Sequence, residues 1–204
     1  TSEATKSSLT LTGGETASNT FTYSTQTGDA PAVELNVSSA NDSVTRNTTV
    51  QEPAFFDISI DDINSTVTEG DQIAVDYTIE NTGGVQDTQD IELSVNGTSI
   101  NTKPGLTLDD GETTSDTFTY LTTTSDAPAV QVNVSSADAT ATRTTTVQEP
   151  AFFDISIDDV TSTVTEGDQI TIDYTVENTG ESQDTQDIVL RINGTEKNTT
   201  GGVT

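Results

Sequence analysis

Residues 52–62 read Glu-Pro-Ala-Phe-Phe-Asp-Ile-Ser-Ile-Asp-Asp, and the same eleven residues return unchanged at 149–159, which is 97 residues further on. The register also holds upstream, because LTLTGGETASNTFTY at 9–23 matches LTLDDGETTSDTFTY at 106–120. Solenoid repeats span about 20–50 residues, so a period of this length is that of a whole domain. The chain is therefore a tandem array of near-identical modules.

The same stretch indicates the fold class, since Phe56, Ile58 and Ile60 alternate with polar residues. Period-two alternation returns at 73–80, 91–96 and 129–135 and predicts antiparallel strands that bury one face. Turn sequences such as Asn96-Gly97 separate these runs, because both residues accept positive φ. Seven or so short strands in about 97 residues predict an all-β chain of tandem immunoglobulin-like β-sandwich modules joined by short proline linkers.

The phase of the repeat sets the domain boundaries. Residues 51–147 form a complete module, residues 1–50 the C-terminal half of another, and residues 148–204 the N-terminal half of the next. A half-module lacks half its core and is not expected to fold alone, and its open strand edges invite pairing. Two interpretations remain. The neighbouring identical modules belong to the same longer chain, which is favoured because such repeats seldom stop at two, or one subunit completes the next in a head-to-tail homopolymer.

The junctions between modules are short and contain proline. Only two or three residues are expected between the last strand of one module and the first of the next, so the array should be a rod. Phe55 and Phe152 lie on the face opposite to the core-facing phenylalanines that follow them. They form either a strand end covered by a loop or a hydrophobic plug between modules. The expected inter-module packing residues are Phe55, Phe152, Pro53 and Pro150.

The chain is strongly acidic, with a formal net charge of −28, a pI of about 4.1 and only six lysine and arginine residues. This balance argues against nucleic acid and anionic membranes as partners, since both need a basic face. No apolar run reaches transmembrane length, so no membrane contact is expected in this segment. Molar salt shortens the Debye length to about 3 Å and screens carboxylate repulsion. The composition therefore predicts a halophilic source.

No catalytic function is expected. The chain contains no histidine and no cysteine, which excludes Ser-His and Cys-His nucleophiles and histidine metal sites. Close carboxylate pairs could serve a glycosidase, but 34 acidic residues produce such pairs by chance. No cofactor is predicted, except that outward carboxylates form either a weak calcium site or a solvated acidic face. The candidate calcium ligands are Asp57, Asp61, Asp76, Asp154, Asp158 and Asp173.

Eight Asn-x-Ser/Thr sequons occur, about twice the number expected by chance. Asn36 and Asn133 are equivalent in the two repeats and alternate with core valines, so they are the best candidates for glycans. Asn96 and Asn193 are better explained as hairpin-turn residues. The remaining candidate glycosylation sites are Asn41, Asn47, Asn64 and Asn198.

The stretch from 67 to 98 contains Val-Thr-Glu-Gly-Asp-Gln-Ile, Asp-Tyr-Thr-Ile-Glu-Asn-Thr-Gly and Asp-Thr-Gln-Asp-Ile-Glu-Leu-Ser-Val-Asn-Gly-Thr. It resembles the CARDB family, the cell-adhesion-related domains of bacteria and archaea, and Leu-Thr-Leu-Asp-Asp-Gly-Glu-Thr at 106–113 continues the likeness. The version that starts with Glu-Pro-Ala-Phe-Phe looks like haloarchaeal secreted surface proteins. The resemblance implies an exported immunoglobulin-like sandwich displayed in arrays and loosely tied to adhesion.

The sequence as a whole predicts a structural role. We expect a stiff, glycosylated spacer in an extracellular, cell-surface stalk or filament of a halophilic archaeon, with neighbouring identical modules as its partners. Two alternatives stay open. One is a cell-adhesion or carbohydrate-binding module with surface glycans as partners, and the other is a filament subunit that polymerises head to tail by strand exchange.

Overall fold

The computed structural model describes residues 4–6 and 9–203, and these form fourteen strands and no helix. The strands are β1 (Ala32–Ser38), β2 (Ser43–Thr49), β3 (Phe56–Ile63), β4 (Thr66–Thr68), β5 (Gln72–Asn81), β6 (Asp87–Val95), β7 (Thr98–Leu108), β8 (Thr113–Leu121), β9 (Ala129–Ser135), β10 (Thr140–Gln148), β11 (Phe153–Val160), β12 (Ile172–Asn178), β13 (Gln186–Ile192) and β14 (Thr195–Val203).

Strands β3 to β10 form a β-sandwich of two sheets. One sheet has the order β4-β10-β9-β6-β7 and the other the order β3-β5-β8. All pairings are antiparallel except that of the short β4 with β10. The predicted all-β, immunoglobulin-like fold is confirmed, and the sandwich spans residues 56–148.

The core of the sandwich consists of the apolar residues that alternate along its strands. Tyr77 and Phe118 stack at its centre with ring centroids 5.0 Å apart. The sequence pattern placed the inward faces of β3, β5, β6 and β9 correctly. The other fully buried apolar side chains include Phe56, Ile73, Ile79, Ile91, Leu93, Leu108, Val75, Val130, Val132 and Val134.

Two strands were not expected from the sequence. In β7, Pro104 and Gly105 interrupt the alternation, and the register shifts opposite Asp90, whose carboxylate accepts a bond from the Gly105 amide at 2.8 Å. Proline is tolerated there because β7 is an edge strand. The three-residue β4 exists only through its pairing with the distant β10.

The flanking segments contain three separate two-stranded sheets, β1-β2, β11-β12 and β13-β14. After a shift of 97 residues, these three sheets correspond in turn to the pairs β9-β10, β3-β5 and β6-β7 of the central sandwich. Residues 16–24 and 163–165, which correspond to β8 and β4, are not strands. The flanking segments therefore contain only part of the strand pairing of the central sandwich.

Candidate functional site

The first junction between modules is fixed by hydrogen bonds to the turn that follows β5. The Phe55 carbonyl accepts a bond from the Thr82 amide at 2.9 Å, and the Glu52 carbonyl accepts one from the Gly84 amide at 3.1 Å. The Gln51 side chain donates to the Gly84 carbonyl at 2.8 Å. The linker thus runs along the turn and is bonded to it on both sides of Pro53.

Asn81 connects this linker to the interior of the module. Its buried amide accepts bonds from the Phe55 and Gly83 backbone N–H groups at 3.2 and 3.1 Å. The same side chain donates to the carbonyls of Val85 and Leu108 at 2.8 and 3.2 Å. All four hydrogen-bonding positions of the amide are used, which a buried asparagine requires.

Gly83 allows the linker to approach the turn this closely. A Cβ added at Gly83 would lie 2.0 Å from the carbonyl oxygen of Pro53 and 2.5 Å from the Cα atom of Ala54. Both are backbone atoms and cannot rotate away. Only glycine fits between the linker and the turn, so the Asn-Thr-Gly sequence encodes the junction as well as the turn.

The second junction repeats this arrangement. The Asn178 side chain accepts bonds from Phe152 N and Gly180 N at 3.1 Å each and donates to the Ser182 carbonyl at 2.9 Å. A Cβ at Gly180 would lie 2.0 Å from the Pro150 carbonyl oxygen. Glu149 N donates to the Glu181 carboxylate at 3.2 Å. An asparagine and a glycine at equivalent positions therefore fix both linkers, and the Glu181 side chain adds a contact that Gly84 cannot make.

The linkers are longer than the two or three residues expected from the sequence. Residues 50–55 separate β2 from β3, and residues 149–152 separate β10 from β11. The expectation was wrong because the residues around each proline bond to a turn and leave the sheets. Phe55 and Phe152 are exposed, as are Pro53 and Pro150, and the packing of these four residues between modules stays a prediction.

The structure does not bring the candidate calcium ligands together. Asp61 lies at a bulge in β3, where its carboxylate accepts bonds from Ser59 and Thr78 at 3.0 and 2.5 Å. Asp76 accepts a bond from Thr117 at 2.6 Å, and Asp158 from Thr175 at 2.6 Å. Asp57, Asp154 and Asp173 are likewise exposed. Across residues 4–6 and 9–203, no group of three or more acidic residues is arranged to hold a metal ion, and a weak calcium site at these six residues stays a prediction.

The sequon residues lie at or near the surface. Asn36 is exposed and donates to Thr45 at 2.9 Å, whereas Asn133 is half-buried and accepts a bond from Thr142 at 2.8 Å. Asn96 and Asn193 have positive φ values of 49° and 51°, which confirms them as turn residues. Asn41, Asn47, Asn64 and Asn198 are exposed, and glycosylation of these sites stays a prediction.

Lys103 covers the open edge of the core, a role that the sequence did not reveal. Its ammonium group lies 4.6 Å from the Phe118 ring centroid and forms a 2.5 Å ion pair with Asp116. The hydrogen bond from Lys103 holds the pKa of Asp116 below its usual value. Burial raises the pKa of Tyr77 to about 12, and the negative charge of Asp116 makes a smaller contribution in the same direction. The recurrence of lysine at position 6, whose ammonium group lies 5.4 Å from the Phe21 ring centroid, is the signal that could have identified this contact.

Within the described part of the chain, no helix has the length and apolar character needed to span a bilayer.

Comparison with known proteins gives matches to solved structures only. No protein-family model and no curated protein matches the chain. It is similar to the crystal structure of a CARDB domain from Pyrococcus furiosus in complex with di-metal ions, at 16% identity and a TM-score of 0.41, covering 49% of this chain and 96% of that one. The solution structure of that domain is similar at 18% identity and a TM-score of 0.38, covering 46% and 93%.

A β-glucosidase from Listeria innocua is also similar, at 15% identity and a TM-score of 0.40. The match covers 48% of this chain but only 16% of the enzyme. A CARDB domain is thus among the solved structures that resemble this chain, and the haloarchaeal surface context stays a prediction.

Proposed function

We propose that this chain is a structural segment, a stiff spacer of end-to-end β-sandwich modules in an extracellular, cell-surface stalk or filament of a halophilic archaeon. The observation that carries the proposal is the recurrence of one linker geometry at both junctions. At each junction, an asparagine side chain accepts a hydrogen bond from the linker backbone, and a glycine lets the proline carbonyl approach the turn closely. These contacts hold each linker on the module that follows it, and the linker continues directly from the last strand of the module before, so in the proposal orientation is passed from one module to the next.

The path of the chain through the central sandwich supports an end-to-end arrangement. The chain enters beside the β9-β10 turn, where Phe56 N donates to the Asp138 carboxylate at 3.0 Å. It leaves at the far end of β10, whose nine residues span about 30 Å. Entry and exit therefore lie at opposite ends, and each module adds length to a string of modules.

The surface chemistry suits such a spacer in strong brine. A net charge of −28 keeps neighbouring rods apart and hydrated while molar salt screens the repulsion within each module. In the proposal, glycans on the sequons, with Asn36 the most accessible of the equivalent pair, add further hydration. Intact-mass measurement of native material would show whether these sites are occupied.

The stiffness of the second junction is measurable within one chain. The chain has no cysteine, so spin labels would attach only to cysteines that are introduced. A double variant, Thr102→Cys with Glu177→Cys, would carry one label on β7 and one on β12. Double electron–electron resonance measures the distance between the two labels, and dilution with unlabelled chains removes signals between chains. A stiff junction should give a narrow distribution of this distance. Gly180→Ala should broaden it, because the added Cβ collides with the Pro150 carbonyl.

Gly13→Ala is the matched control, since a Cβ there meets nothing within 4 Å. It should leave the distribution unchanged. A broad distribution in the unaltered junction would mean that the modules swing freely and would rule out the spacer.

A further inference from the structure

We propose that the central sandwich is a load-bearing module, because its first strands, β3 and β4, and its last strand, β10, must be sheared apart when tension acts on the two linkers. The inference rests on the proposed function, since tension reaches a module only where modules are joined end to end. It gives the spacer a mechanical function and assigns that function to named hydrogen bonds.

The first and last strands of the sandwich run side by side in the same direction. At one end, Phe56 N at the start of β3 donates to the carboxylate of Asp138, which lies in the turn before β10. At the other end, β4 pairs with β10 in parallel, with Val67 opposite Val147. The preceding linker leads into the start of β3, and the following linker leaves the end of β10. Tension between the linkers therefore pulls these neighbouring strands past each other along their own axes.

Backbone hydrogen bonds hold the end of this pair at which β4 lies. Thr146 N donates to the Ser65 carbonyl at 3.0 Å, and Glu69 N donates to the Gln148 carbonyl at 2.9 Å. These two bonds lie on either side of the three-residue pairing of β4 with β10. Because such bonds run from strand to strand, a force along the strands loads all of them together.

Two side chains of β10 extend these bonds along β3. Arg143 reaches across to the other sheet and donates to the Ile60 carbonyl at 3.3 Å. Thr145 is buried, and its hydroxyl donates to the Asn64 carbonyl at 2.9 Å. The bonds that join β3 and β4 to β10 or to its preceding turn form a shear row, with the members Phe56–Asp138, Ile60–Arg143, Asn64–Thr145, Ser65–Thr146 and Glu69–Gln148.

The shear row is common to both ways in which the sandwich can open under tension. Either β3 separates from β5, or β10 separates from β9. In both cases the bonds between the first strands and β10 must break as well. The shear row therefore contributes to the unfolding force whichever strand leaves first.

The side-chain donors of the shear row recur in the repeat. The positions equivalent to Arg143 and Thr145 are 46 and 48, and these are again arginine and threonine. Their acceptors are backbone carbonyls, which every residue type supplies. Arginine is scarce in this acidic chain, so its return at this position fits a structural tie between the sheets.

The test compares two directions of pull on the full chain in molar salt, with handles attached to introduced cysteines. Glu52→Cys with Glu149→Cys places one handle on each linker and shears β3 and β4 against β10. Gln72→Cys with Glu149→Cys places both handles at one end, because Gln72 follows the turn after β4. In optical tweezers the linker pull should need a several-fold higher unfolding force than the one-end pull, since the one-end pull breaks the bonds one after another.

Arg143→Gln and Thr145→Val each remove one side-chain bond of the shear row. Each should lower the unfolding force in the linker pull and leave the one-end pull unchanged. Lys103→Gln is the matched control, because it also removes a cation from an open edge of the sandwich, but from the edge between β7 and β8. It should leave the force in the linker pull unchanged. Thermal unfolding reports whether each variant is folded.

Equal forces in the two directions would overturn the inference, and this comparison leaves the shear row itself unaltered. An unchanged linker-pull force in both Arg143→Gln and Thr145→Val would also overturn it, as would an equal loss in Lys103→Gln. Neither result changes the junction stiffness measured with spin labels, so failure of this inference is distinguishable from failure of the proposed function.

Discussion

The ring of Tyr77 in β5 stacks on the ring of Phe118 in β8, with centroids 5.0 Å and planes 18° apart. The two residues belong to different halves of the repeat, and each has an exposed equivalent in a flanking segment. This stack therefore lies at the centre of the central sandwich and joins the two halves of the repeat.

Truncation of this stack should strongly destabilise the central sandwich. Phe118→Ala removes a fully buried ring and leaves a cavity beside Tyr77, for which we expect a loss of about 3–5 kcal/mol in the free energy of unfolding. Denaturant titration in molar salt would measure it. Leu121→Ala, on the exposed face of the same strand, should change the value by less than about 0.5 kcal/mol. Equal losses in the two variants would contradict this account of the core.

Removal of the Asn81 side chain should loosen the first junction and destabilise the module. Asn81→Ala leaves the Phe55 N–H and Gly83 N–H groups and two carbonyls without a partner. Each buried group left unsatisfied costs about 1–3 kcal/mol, so a total loss of at least about 2 kcal/mol is expected. Amide hydrogen exchange at residues 54–56 should accelerate at the same time. Asn101→Ala, at an exposed position of β7, serves as the control.

The Lys103–Asp116 pair should make stability depend on pH in the acid range. The pKa of Asp116 is lower in the folded protein than in the unfolded chain, so its contribution is fully present above the unfolded pKa and is lost as the pH falls through the folded pKa. When the free energy of unfolding is plotted against pH, the decrease on the acid side should therefore be less steep for Lys103→Gln than for the unaltered protein. An equally steep decrease in both proteins would rule out this coupling. Asp116→Asn should have the same effect as Lys103→Gln.

Folding should require salt. With 34 acidic residues against six basic ones, repulsion within each module grows as the ionic strength falls. The far-UV circular dichroism spectrum should lose its strand signal on dialysis from molar salt into water and regain it when salt is restored. A spectrum that is unchanged in water would contradict the halophilic interpretation.

The candidate sites were only partly accessible to sequence reasoning. The period-two alternation predicted the buried faces of the strands, because each apolar side chain in a half-buried strand must point inward. The calcium hypothesis placed three aspartates of one module near one another and their equivalents in the next module likewise, but Asp61 lies at a bulge and bonds to neighbouring hydroxyls, and no acidic group of the described residues is arranged to hold a metal ion. The linker was expected to be a short segment stiffened by proline. Its bond to Asn81 and its close approach to Gly83 could not be predicted, because they join residues about thirty positions apart.

The sequence by itself determined the all-β class, the 97-residue period and the identity of the core, because these depend on local alternation and on repetition along the chain. The tertiary structure alone decided which strands form. Residues 113–121 are a strand in the central sandwich, and the similar residues 16–24 are not. A strand requires a partner to satisfy its backbone hydrogen bonds, and whether that partner is in reach depends on the fold rather than on the strand's own residues.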